Sequence, residues 1–259
     1  MKKRKIKKGR LLILGILMLS LCIGLPYGLF RFFNRFKPID EQAFVFEDGI
    51  MSYQDPDVHT MNGIDVSSYQ GKIDWKAVKE DGVEFAMIRC GFRDALTGEL
   101  FDDPMFEENV EGALKQGLQV GVYFFSAACS QEELLEEANL VIDRIKPYAI
   151  TMPVAYDMEL FQGDRGRIID LTPTEKTQLA LTFCEKIKKA GVDPMIYGNE
   201  TWLTQQIVYE EIQEIPIWYA AYRDVPNTQI DFKMWQYSEQ GSVNGISGPV
   251  DMNILFTDA

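Results

Sequence analysis

Four carboxylates stand in apolar runs: Asp65 in GIDVSSY, Asp157 and Glu159 in MPVAYDME, and Asp251 in GPVDMNILF. An acid in such a setting is costly unless it is partnered or used. Asp157 and Glu159 are two residues apart. On a strand, that spacing places both side chains on one face, with Cα atoms roughly 6.7 Å apart. Like charges held so close do not both ionise easily, so one carboxyl keeps its proton near neutral pH. A protonated carboxyl beside an ionised one is what glycosidic bond cleavage requires, because the leaving oxygen takes a proton as the bond breaks. A single such acid is readily explained as a helix cap or a solvent-facing residue. Four of them in one setting are not.

The elements that carry these acids are legible as eight short apolar runs. GIDVSSY, FAMIRCGF, QVGVYFFS, MPVAYDME, DPMIYGN, PIWYAAY, FKMWQYS and GPVDMNILF are apolar on both faces, as parallel strands buried on two sides should be. Helical segments alternate with the early ones. Asp74 is placed to cap a helix from Trp75, and Ser130 and Thr172 open capping-box sequences with Glu133 and Glu175. Pro173 occupies the first helical position of the last of these. Later connections are short. The expected fold is therefore α/β, a (β/α)8-type barrel with an irregular, helix-poor second half. Active sites on that architecture lie at the C-terminal ends of the strands, where Asp157 and Glu159 close the fourth. Strands one and eight are neighbours in a closed barrel, about 4.8 Å apart, which brings Asp251 towards Asp65.

Aromatic residues recur near the later strands: Tyr123, Tyr197, Trp218, Tyr222, Trp235 and Tyr237. Sugar rings present apolar C–H faces that stack on such side chains. Core packing competes with that reading for each, most strongly for Trp235. The candidate substrate contacts are Tyr123, Tyr197, Trp218, Tyr222 and the polar Gln236.

Composition narrows the chemistry further. The single histidine, His59, precedes the barrel, which excludes a Ser-His-Asp triad, a Cys-His pair and a histidine-based zinc site within it. The four cysteines (Cys22, Cys90, Cys129 and Cys184) show neither a CxxC nor an even framework. Free, mostly buried thiols are expected, with a Cys90–Cys129 bridge as the alternative. Residues 1–40 hold ten Lys/Arg and one acid, leaving 16 bases and 38 acids beyond, a net of −22. So acidic a domain does not suit nucleic acid, whose phosphates demand a basic face. A monomer is expected.

The N-terminus differs in kind. MKKRKIKKGR precedes an apolar stretch from Leu11 to Phe30, followed by RFFNRFK. About 20 apolar residues suffice to span a bilayer, whereas a signal-peptide core usually runs roughly 7–15. The basic flank favours a cytoplasmic N-terminus. The expected division is a basic cytoplasmic segment (1–10), a transmembrane signal anchor (11–30), an extracellular tether (31–60) with Phe44, Val45 and Phe46 docking on the domain, and the barrel (61–259). A cleaved signal with secretion is the alternative. Either way the domain lies outside the cell.

With these residues in place, the chain resembles glycoside hydrolase family 25, the N-acetylmuramidase lysozymes. The resemblance runs from about Gly63 to Phe256. It is carried by GIDVSSYQGKIDW, FAMIRCGF, GVYFFSAA, Asp157-Met158-Glu159, WYAAY, MWQYS and the closing GPVDMN. It implies cleavage of the β-1,4 bond between N-acetylmuramic acid and N-acetylglucosamine in peptidoglycan. It also implies Glu159 as general acid, Asp157 as its close partner, Asp65 and Asp251 completing the acidic rim, glycan strands as the binding partner, and no need for a metal or cofactor. Two positions depart from the pattern. Phe124 stands where many relatives have His, and Cys90 stands where small residues are common. Two other readings share the fold: a wall-binding protein without catalysis, against which the four acids argue, and a hydrolase of another aminosugar polymer such as chitin, whose DxxDxDxE run is absent.

Overall fold

The computed structural model describes residues 39–47, 49–160 and 166–257. The expected basic segment and anchor, and residues 31–38 of the expected tether, lie outside the described residues. Among the described residues, no helix is long and apolar enough to cross a membrane.

The eight expected strands form one closed barrel. In chain order the strands are β1 (Phe44–Glu47), β2 (Ile50–Tyr53), β3 (His59–Val66), β4 (Phe85–Arg93), β5 (Leu100–Asp102), β6 (Gln119–Phe125), β7 (Val154–Asp157), β8 (Pro194–Asn199), β9 (Ile217–Ala220), β10 (Met234–Gly241) and β11 (Val250–Thr257). The barrel order is β3-β11-β10-β9-β8-β7-β6-β4, closed by pairing of β3 with β4. β5 is a short addition antiparallel to the end of β4.

Helices cover the first half: α1 (Trp75–Glu80), α2 (Phe106–Lys115), α3 (Gln131–Ile145) and α4 (Pro173–Lys189). Their starts follow local chemistry. Asp74 accepts from the backbone of Lys76 and Ala77, and Thr172 and Glu175 form a reciprocal capping box. At α3 the box is half formed: Ser130 accepts from the Glu133 N–H, but the Glu133 carboxylate turns back to the Cys129 N–H instead. Between β8 and β9 only a five-residue π turn and α5 (Tyr209–Ile212) remain, and no helix joins β9 to β10 or β10 to β11.

Two features differ from an all-parallel barrel. β11 runs antiparallel to both neighbours, β10 and β3. The short connection after β10 forces this, since a parallel return needs a crossover of a dozen or more residues. The reversal matters for chemistry. Asp251 lies at the start of β11, and only in a reversed strand is that end at the same rim as the C-terminal ends of the others. The second feature is a hairpin, β1–β2, within the stretch expected as tether. Phe44 meets Trp235 and Tyr53 edge-on, each with ring centres 5.0 Å apart, and Tyr53 meets Phe256 at 5.2 Å. The Met51 N–H donates to Tyr237 Oη at 3.2 Å. The hairpin thus covers outer faces of β10 and β11 that the missing helices leave bare.

Inside the barrel, alternate residues pack into an apolar plug that includes Phe85, Met87, Met195 and Met234, with Met61 and Leu255 against it. Gly63 makes room for it: a Cβ there would sit 2.4 Å from the Phe85 ring. The plug fills the lower barrel, and polar side chains occupy the mouth above it.

Candidate active site

The four carboxylates meet at that mouth in two pairs. Asp65 and Asp251 face each other in register across β3 and β11, with their carboxyls in hydrogen-bonding reach. Asp157 ends β7, and Glu159 follows two residues on, its carboxyl bonded to that of Asp157. All nine residues expected at the site line one cleft of about 560 Å³: the four acids with Tyr123, Tyr197, Trp218, Tyr222 and Gln236.

Asp65 is buried and held by a converging network. Its Oδ2 accepts from Asn253 Nδ2 at 2.7 Å and from Gln236 Nε2 at 2.8 Å. Trp218 Nε1 donates to Asn253 Oδ1 at 2.7 Å, and Tyr197 Oη and Tyr222 Oη donate to Gln236 Oε1 at 2.9 and 3.1 Å. Each amide therefore has its oxygen taken by a neighbour and its nitrogen aimed at Asp65, which suits an ionised carboxylate. Burial still pushes Asp65 up to about 6 against these donors. Burial, and then the charge of Asp65, lift Asp251 to about 8, so Asp251 carries the proton of this pair. Gln236, expected as a substrate contact, is 3% exposed with its amide committed at both ends. At this mouth it orients Asp65.

The other pair is more strained electrostatically. Burial first, and the charge of Glu159 next, hold Asp157 well above the usual carboxylate range, with Arg89 pulling it back. Burial also raises Glu159, while the bond from Asp157 lowers it. Burial thus raises both carboxyls of this pair above the ordinary carboxylate value. Asp157 is 6% exposed, and among the described residues its Oδ1 is buried without a hydrogen-bond partner. A buried acceptor left unmet is destabilising unless a bound group satisfies it.

Two polar residues, one bonded to Asp65 and one whose charge acts on Asp157, escaped the sequence reading. Asn253 is one, although its signal was present: it lies two residues after Asp251 and so shares its face of the strand. Arg89 is the other, a cation inside the apolar run of β4. Its Nε donates to Asp103 at 2.8 Å and its Nη2 to Ser68 Oγ at 3.1 Å. The guanidinium lies 4.9 Å from the Tyr69 ring centre and 5.2 Å from that of Phe92. Trp235 and Tyr237, by contrast, face outward under the hairpin. Phe124 and Cys90 are buried and lie outside the cleft lining, so neither departure from the family pattern reaches the substrate space. Cys90, Cys129 and Cys184 are free thiols, and Cys22 lies outside the described residues. Among the described residues, no group of three or more His, Cys, Asp or Glu is arranged to hold a metal ion.

Comparison with known proteins decides the family. The sequence profile of Glycosyl hydrolases family 25 matches residues 64–246. The chain belongs to that family. The matched interval holds Asp65, Asp157 and Glu159 but ends before Asp251 and begins after the hairpin. The chain is 30% identical over 203 residues to the uncharacterized protein YegX of Escherichia coli, covering 77% of this chain and 71% of that one. It is 29% identical over 194 residues to the autolytic lysozyme of Clostridium acetobutylicum, covering 74% of this chain and 55% of that protein. Among solved structures, the modular autolysin LytC of Streptococcus pneumoniae, in complex with a synthetic peptidoglycan ligand, superposes with a TM-score of 0.70 at 22% identity. That match covers 83% of this chain and 52% of LytC. The chain thus spans about half of each of these two relatives, and the LytC likeness speaks to the fold alone. Its fold is the mixed α/β, closed eight-stranded barrel of a lysozyme-like family 25 glycoside hydrolase.

Proposed function

We propose that this protein cleaves the β-1,4 bond between N-acetylmuramic acid and N-acetylglucosamine in peptidoglycan. The observation that supports this most directly is the Asp157–Glu159 pair, two hydrogen-bonded carboxyls in a cleft lined by aromatic rings. Glu159 is the less buried of the two and is the general acid for the leaving oxygen. Asp157 lies on the same strand end, a poor position for backside attack on the sugar. The 2-acetamido oxygen of the sugar itself is the nucleophile, as in the substrate-assisted glycosidase families. The unmet Oδ1 of Asp157 then has a function: it accepts the acetamido N–H, orients the group and stabilises the charge it develops. Accepting that bond favours ionised Asp157 and so leaves the proton on Glu159, where it is needed. Asp65 is fixed by its amide network opposite this pair and completes the electrostatics with Asp251.

Dye release from labelled peptidoglycan, run beside labelled chitin, tests the substrate. Release from peptidoglycan alone is expected; release from chitin alone, or from neither, rejects the reading. The first product should retain its anomeric configuration. An inverted product seen by NMR before mutarotation would instead favour water activated by Asp65 or Asp251.

The same proposal extends to location. The uninterrupted apolar run 11–30 with its basic flank holds the domain on the outer face of the membrane, with glycan strands in reach. Full-length protein should stay with membranes through a salt wash, and external protease should remove the domain from intact cells. A mature N-terminus just past residue 30, found in the medium, would replace the anchor with a cleaved signal.

A further inference from the structure

Beside the cleft lies a second buried polar cluster that the hydrolytic scheme leaves unused. Arg93, at the end of β4, and Glu137, in the middle of α3, are both buried. Arg93 Nε donates to Glu137 Oε1 at 2.7 Å and Nη1 donates to the Gly98 carbonyl at 2.8 Å. Its Nη2 donates to the Glu133 carbonyl at 2.8 Å and to Glu136 Oε2 at 3.0 Å. Glu137 Oε2 accepts from Ser126 Oγ at 2.6 Å. Ser126 is the residue after β6, and its backbone N–H donates to the Asp157 carbonyl at 2.6 Å. That bond is the last rung between β6 and β7. Past it the strand ends and the chain turns to Glu159.

A buried arginine–carboxylate pair is an expensive way to fill space, because packed apolar side chains do so with equal or better stability. Its distinctive property is directional: each partner fixes the other's neighbours. Here the neighbours are informative. Arg93 ties the turn after β4 to the first turns of α3, and Glu137 ties α3 to Ser126. Ser126 has no ladder beyond it, and its hydroxyl, 3.3 Å from Tyr156 Oη and accepting from the Ala128 N–H at 3.4 Å, makes its shortest bond to Glu137. β7 is four residues long, and its last carbonyl depends in turn on Ser126. Arg93 reaches the cleft wall, but every nitrogen of its guanidinium is already bonded within the protein.

We infer that Arg93, Glu137 and Ser126 form a positioning chain for the reacting carboxyls, fixing the Asp157 peptide and hence the placement of Asp157 and Glu159 against the sugar. None of the three contacts the reacting atoms. The inference rests on the proposed roles of Asp157 and Glu159. Misplacing reacting groups by about 1 Å costs on the order of 100-fold in rate, so a lost bond in this chain should be visible in kcat.

The test is Ser126→Ala, which deletes one hydroxyl and leaves the Arg93–Glu137 pair and the backbone N–H in place. On a soluble peptidoglycan fragment, kcat should fall about 10–100-fold while KM stays within about twofold. Glu137→Gln, which keeps shape and one acceptor, should lose less rate than Glu137→Ala, and Ser126→Ala should add little to the loss in Glu137→Ala. An unchanged kcat in folded Ser126→Ala protein, or a raised KM alone, overturns the inference. If Glu137→Ala does not fold, Ser126→Ala against Glu137→Gln decides the matter by the same readout. Should the wild type cleave no peptidoglycan, the proposed function fails separately. The positioning claim is then read from crystal structures: an Asp157 carboxyl displaced in Ser126→Ala supports it, and an unmoved one refutes it.

Discussion

Burial raises both Asp157 and Glu159 above the ordinary carboxylate value, and the proposed mechanism divides acid and orienting roles between them. Replacing Glu159 by Gln removes the transferable proton and keeps the shape. Peptidoglycan cleavage should fall by about 10²–10⁴-fold, the usual worth of general acid catalysis, with substrate binding nearly unchanged by calorimetry. Asp157→Asn should also be severely impaired, because a carboxamide can meet the acetamido N–H but carries no charge to stabilise the developing oxazolinium. A substrate with a free 2-amino group should be cleaved poorly even by the wild type; equal cleavage would remove the acetamido nucleophile from the scheme. The thiols belong to the opposite class. Burial pushes Cys184 up to about 12 and Cys90 higher still, which leaves neither as a nucleophile. Replacing Cys90, Cys129 and Cys184 together by Ala should leave kcat within about twofold of wild type, the residual change being one of packing. Loss of cleavage in a folded triple variant would reveal a chemical role for one of them.

At the scale of elements, the β1–β2 hairpin substitutes for helices the second half of the barrel lacks. Phe44 is the residue that makes the substitution work, because its ring touches Trp235, Tyr53 and Phe256 at once. Phe44→Ala should cost about 2 kcal/mol, less than a fully buried phenylalanine, and lower the melting temperature by about 4–8 °C. Differential scanning calorimetry would show it; an unchanged transition would mean that the outer faces of β10 and β11 tolerate water. This hairpin also marks what the sequence conceals. The eight barrel strands are legible because each is a compact apolar run bounded by turn residues. The four acids are legible because a carboxylate stands out in such a run. The direction of β11 is not, since period-two alternation reads the same both ways, and only the length of its connection points to reversal. FVFEDGIMSY is a hairpin that looks like a tether with three apolar residues, because its partners, Trp235 and Phe256, lie some 200 residues away in sequence. Glu137 and Ser126 are hidden for the same reason. Within α3 the glutamate is one of four in the run EELLEEANL, and only the fold shows that this one is buried against Arg93.

For the whole molecule, the burial of so many acids at one mouth predicts an unusual dependence of stability on pH. Unfolded, these carboxyls titrate near 4. Folded, burial lifts Asp65 to about 6, Glu137 to about 7 and Asp251 to about 8, and raises Asp157 and Glu159 as well. The native state therefore binds more protons than the unfolded chain across this range, and stability falls as pH rises. For Asp65, Glu137 and Asp251 the contribution is fully present below about pH 4, is lost as the pH rises from there through their folded values, and is gone above about pH 8. General repulsion within a domain of net charge −22 acts in the same direction, so the slope alone does not isolate the site. Asp251→Asn does. Its carboxamide can still donate to Asp65, as the protonated acid does, but it never ionises. Variant and wild type should melt together near pH 4, and the variant should melt higher by pH 8, the gap opening as Asp251 ionises in the wild type. A gap of constant size from pH 4 to 8 would mean that the substitution changes packing rather than proton binding, and that Asp251 does not hold the proton of the Asp65 pair.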